Sequence, residues 1–103
     1  MYCCGICTCA YWRHLAAGGL SRNAERLAAG MQALKAHRLD SGRWRRFPFF
    51  YTLLALTEID VALSRSEMQF AAPPCERYLK TCRITSPLIT RRKRVAEMIL
   101  ATA

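Results

Sequence analysis

Cysteine is the residue type here best suited to chemistry, and four of the six cysteines crowd the first nine positions: Cys3, Cys4, Cys7 and Cys9, with Cys75 and Cys82 far downstream. The two-residue gap in Cys4-Gly5-Ile6-Cys7 is the spacing at which two thiolates grip one zinc ion. Tetrahedral zinc needs two further ligands, which Cys9 and His14 could supply, as could Cys3, Cys75 and Cys82. A redox dithiol is the other chemistry open to that spacing, but the βαβ setting it normally occupies is missing. The third reading is packing: cysteine is often a small buried apolar residue, and these four would then lie beneath a first helix. That reading is the preferred one. Cysteines gathered at one end do not make a disulfide framework, and no secretory signal is visible, so a reducing, cytoplasmic setting is expected.

Arginine is the second resource. Sixteen Lys and Arg against seven Asp and Glu leave a formal net charge of +9, enough to draw polyanions of any kind. Arg43, Arg45 and Arg46 flank Trp44, and Arg91, Arg92 and Arg94 lie in the run Arg91-Arg92-Lys93-Arg94. Together these six arginines are the candidate contacts to a nucleic-acid backbone. Successive helical residues point in different directions, however, so a solvated helix face is the simpler reading of the run. Trp12 and Trp44 are more naturally roofs over a helical core, with arginine lying on the ring, than stacking platforms for bases. His14 and His37 have no Ser or Asp at a catalytic spacing. Glu58 and Asp60 read as capping or turn groups. With no phosphate-binding glycine loop and no nucleophile elbow, an enzyme is not expected.

The elements that would hold these residues are helices. Apolar residues make up 52% of the 103-residue chain and charged residues 22%, a globular balance. A short Cys-rich lead-in over residues 1–9 precedes a single helical domain over 10–103. Thr8 can cap a helix over 9–17, which Gly18 and Gly19 would end. Leu20, Ala24, Leu27, Met31 and Leu34 recur at helical spacing and predict a helix over 22–38 with one apolar stripe. Asp40-Ser41-Gly42 is a turn signal. Pro48 opens a run, Phe49 to Leu56, that is apolar nearly all round and predicts a buried central helix over 48–58. Ser64-Arg65-Ser66-Glu67 fits a capping box ahead of a short helix over 65–71. Pro73-Pro74 should break it and start another, running to 82. Ser86 and Pro87 repeat the start pattern for a last helix carrying Leu88, Val95, Ala96, Ile99 and Leu100 inward. The fold class is therefore all-α: a small bundle or stack of helical hairpins with five to six helices. No run is long enough to span a bilayer.

His37, Asp40, Gly42 and Trp44, followed by Phe47-Pro48-Phe49-Phe50-Tyr51-Thr52, sit between two helices in an order that resembles one repeat of the α/α-toroid proteins of the prenyltransferase and squalene–hopene cyclase type. The likeness covers residues 22–59. Glutamine is absent from the turn motif, and Ser41 is inserted between the aspartate and the glycine. The cyclase acid motif Asp-x-Asp-Asp does not occur. What the resemblance implies is a helical-hairpin architecture, without the activity. The expected function is a non-enzymatic, protein-binding helical module. Phe47, Phe49, Phe50 and Leu53 would organise its core, and its partner would be another protein or a second copy. Nucleic-acid binding through the six arginines, and zinc binding through Cys4, Cys7, Cys9 and His14, are the alternatives.

Overall fold

A computed structural model describes residues 5–18, 23–83 and 86–103. Of the residues singled out above, Cys3, Cys4, Gly19 and Leu20 lie outside that set. Five helices follow in order: α1 (Gly5–Gly18), α2 (Asn23–Ala36), α3 (Phe49–Glu58), α4 (Val61–Thr81) and α5 (Pro87–Thr102). There is no strand among the described residues. The all-α expectation therefore holds.

Helix α3 sits at the centre, against α1, α4 and α5. Its sequence explains why. Phe49, Thr52, Leu53, Ala55 and Leu56 are buried, and they occupy most of the helix circumference, so three neighbours are needed to cover them. Thr52 is accommodated in this apolar setting because its hydroxyl donates to the Pro48 carbonyl at 2.8 Å, one turn back. Pro48 itself is the N-cap of α3, where a missing N–H is no loss. The core continues through Trp12, Leu34, Met68 and Ile99, all fully buried. Trp12 and Trp44 are both core residues. The Cα radius of gyration is 13.3 Å, close to the roughly 13 Å of a single compact domain of 100 residues.

Helix α1 begins at Gly5, four residues ahead of the expected start, so Thr8 is a buried helical residue rather than a cap. The reason lies elsewhere in the chain. A Cβ on Gly5 would fall 2.1 Å from the Arg46 carbonyl oxygen and 2.8 Å from the Phe47 Cα. Only glycine lets this first turn press against that backbone. In α2 the stripe residues Leu27, Met31 and Leu34 are buried, while Ala24 is exposed.

Helix α4 departs most from expectation. It is one continuous helix of 21 residues, with Pro73 and Pro74 inside it. The start pattern at Ser64 is not a cap. Asp60 caps α4, its side chain accepting from the Ala62 N–H at 3.0 Å. The Ser64 hydroxyl turns back to the Asp60 carbonyl at 3.3 Å, and Glu67 is engaged in long-range contacts. The prolines are braced from outside. Gly42, at φ +86°, packs so closely that a Cβ there would lie 2.7 Å from the Pro74 ring. Arg77 donates to the Ser41 carbonyl at 3.3 Å. In α5 the start is as expected: Ser86 accepts from the Ile89 N–H at 3.2 Å, with Pro87 in the first turn. Ala96 and Ile99 are buried, but Leu88 is exposed rather than inward, because α5 meets α3 and α4 farther along its length.

Candidate functional site

Residues 37–47, between α2 and α3, form a tight turn tied to α4 by a buried carboxylate. The Leu39 N–H donates to the Arg43 carbonyl at 2.8 Å, and the Arg45 N–H to the His37 carbonyl at 2.8 Å. Trp44 and Phe47 then fold inward, Phe47 stacking on Trp12 with ring centroids 5.6 Å apart. Glu67, buried on α4, accepts from the Trp44 indole N–H at 3.0 Å and from Arg38 Nε at 3.2 Å. Its second oxygen pairs with Arg38 Nη2. Arg38 also donates to the Ser66 hydroxyl at 3.3 Å and lies 4.6 Å over the Phe70 ring. A buried carboxylate persists only when paired and hydrogen-bonded, and Glu67 has a forked guanidinium plus an indole.

Outside this knot the turn walls a concavity of about 430 Å³, lined by Ala36, His37, Arg38, Leu39, Arg45 and Arg46. Arg46 holds φ at +67°, the left-handed region that a non-glycine residue seldom occupies. A second concavity, about 210 Å³, runs between α3 and α5. Its walls are Phe50, Tyr51, Leu54, Leu88 and Val95, and Arg91 and Arg92 stand on it. Arg92 lies 4.9 Å over the Phe50 ring. Behind it, Phe50 meets Tyr78 edge-on at 4.9 Å. Burial pushes the Tyr78 phenol up, Cys82 adds to that, and Arg92 opposes it.

The six candidate arginines are thus divided. Arg43 lies 4.3 Å over Phe49, Arg45 and Arg46 border the turn concavity, and Arg91 and Arg92 border the groove. Arg94 is exposed and lines neither. Of the proposed zinc ligands, Cys4 lies outside the described residues. Cys7 and His14 are on the exposed side of α1, while Cys9 is buried with its sulfur 3.5 Å from the Thr52 hydroxyl. Among the described residues, no group of three or more His, Cys, Asp and Glu is arranged to hold a metal ion. The Cys75 thiol is also buried, and burial pushes it up to about 11 against the opposing charge of Arg43. Such a thiol is a packing residue, not a nucleophile. Glu58 accepts from Arg13 at 2.9 Å, an exposed pair that lines neither concavity and stands one helical turn past Leu54.

Sequence reasoning overlooked Arg38 and Glu67. Both carried local assignments, a helix end and a capping box, that hid a contact across 29 residues. No helix among the described residues is long and apolar enough to cross a membrane. Compared with protein-family models, with curated proteins and with solved structures, the chain finds no match. The likeness of residues 22–59 to a toroid hairpin therefore rests on its motif alone.

Proposed function

We propose that this chain is a non-enzymatic helical interaction module whose groove between α3 and α5 takes an acidic, amphipathic helix of a protein partner. One observation carries the reading. Tyr51 and Leu88 are 54% and 55% exposed on facing helices, and they flank an apolar groove on which Arg91 and Arg92, and no acidic residue, stand. An amphipathic helix seated there would cover the apolar strip with one face and offer carboxylates to the two guanidinium groups. Charge complementarity of that kind speeds and orients encounter. A second copy is the poorer occupant, since two chains each at +9 repel. The division of the arginines between separate surfaces also favours a short peptide over a continuous phosphate backbone.

The test is fluorescence anisotropy with a labelled helical peptide of alternating leucine and glutamate faces, beside a scrambled peptide and a lysine-faced one. The acidic amphipathic peptide binds, the other two do not, and Leu88→Asp weakens binding about tenfold, the effect of roughly 1.4 kcal/mol. Absence of binding by the acidic peptide overturns the proposal. So does a dimer in light scattering that Leu88→Asp dissolves, because the groove would then belong to a second copy.

A further inference from the structure

The turn concavity sets a left-handed arginine, Arg46, beside two other arginines, Arg38 and Arg45. Glycine would occupy φ +67° without strain, and residues held in such conformations persist where the surroundings over-determine them and concentrate at binding sites. The surroundings here do over-determine Arg46. Its carbonyl abuts Gly5, and the neighbouring Phe47 is clamped between Trp12 at 5.6 Å and His37 at 5.3 Å. The clamp fixes the backbone from which the Arg46 side chain leaves, and that side chain is exposed on the wall of the concavity.

The charge of the wall is uneven. Arg38 is matched by Glu67. Arg45 and Arg46 are exposed, and neither belongs to an ion pair with a described carboxylate. Asp40, in the same turn, does not line the concavity. The C-terminus of α2 opens on the same side, and its dipole contributes about half a negative charge. Much of that end is already engaged: the Ala33 carbonyl accepts from His37 Nδ1 at 2.7 Å, and the Leu34 and Lys35 carbonyls accept from the N–H groups of His37 and Arg38. Two unmatched guanidinium groups outweigh what remains.

We infer that this concavity is an anion site, in which Arg45 and Arg46 together hold a compact phosphate-bearing ligand. Guanidinium forks match phosphate oxygens two at a time, and a preformed wall lowers the ordering penalty of binding. His37, its ring held by Nδ1 donating to the Ala33 carbonyl, and Arg38 also line the concavity.

Titration of the isotopically labelled chain with inorganic pyrophosphate at low salt, followed by amide chemical shifts, tests this. The expected result is saturable movement of the amides of residues 37–47, with α5 amides still. Arg45→Gln and Arg46→Gly each weaken binding about tenfold, the effect of losing one charge-assisted hydrogen bond. Arg46→Gly also raises the urea midpoint, because strain is relieved while a ligand contact is lost. Arg91→Gln leaves binding unchanged. No saturable movement, movement centred on α5, or binding by both turn variants as tight as the parent's overturns the proposal. A parallel arm with a short RNA settles the source of the phosphate: RNA binding more than about tenfold tighter than pyrophosphate would mean a nucleic-acid backbone and would overturn the compact ligand.

Discussion

Arg38 and Arg92 both lie over a phenylalanine ring, at 4.6 and 4.9 Å, yet they do different work. Arg38 is gripped by a buried carboxylate and holds the 37–47 turn onto α4. Arg92 has no such carboxylate among the described ion pairs and rests on the rim of an open groove. The contrast separates a charge that maintains the fold from one left to meet something else. An arginine's aromatic neighbour does not distinguish the two; its carboxylate does.

The difference between the two arginines shows most strongly at Glu67. Glu67→Ala leaves Arg38 half-buried and unmatched and removes the acceptor of the Trp44 indole, so about 3 kcal/mol of stability should be lost in urea denaturation. In a double-mutant cycle, Arg38→Met should restore part of it, and additive losses would show that the pair is not coupled. Next is Gly42→Ala. The new Cβ meets the Pro74 ring in a left-handed backbone, and roughly 2 kcal/mol should go, measured in the same way. Arg92→Ala should be milder, about 0.5–1 kcal/mol of stability, while acidic-peptide binding falls further than folding does. A loss in Arg92→Ala as large as in Glu67→Ala would erase the distinction between the two arginines. A pH-dependent effect concerns Cys75, buried on α4 next to Pro74. Its thiol is raised from 9.0 to about 11 by burial, so its contribution to stability is intact below pH 9 and lost as the pH rises toward about 11, where the unfolded thiol ionises first. Urea midpoints across that window should fall less in Cys75→Ala than in the parent.

The central helix was legible because its signal is dense. The run from Phe49 to Leu56 has apolar residues on nearly every side, and only a helix covered by several neighbours satisfies that. The starts at Pro48 and Ser86 were legible too, since capping is a matter of adjacent residues. Helix α4 was not. Local chemistry proposed a start at Ser64 and a break at Pro73; the start lies instead at Asp60, which caps the helix, and Glu67 and Pro74 are held by residues 38 to 44, distant in sequence. The same density that revealed α3 concealed its outer edge. A run apolar all round gives no hint that Tyr51 stays exposed, or that Leu88 on α5 faces the same gap. The arginine clusters were visible as clusters, but their separation onto two surfaces follows from how α5 crosses α3, which no spacing records.

The proline pair in α4 has a consequence for how the molecule assembles. Neither proline can donate an amide, so the helix lacks two rungs of its own ladder at mid-length, and cut out as a peptide it would fall into two short, fraying halves. In the whole chain the loop carrying Gly42 and Ser41 docks over the gap. The two halves of α4 are therefore expected to hold as one rod only while the region joining α2 to α3 is docked on them.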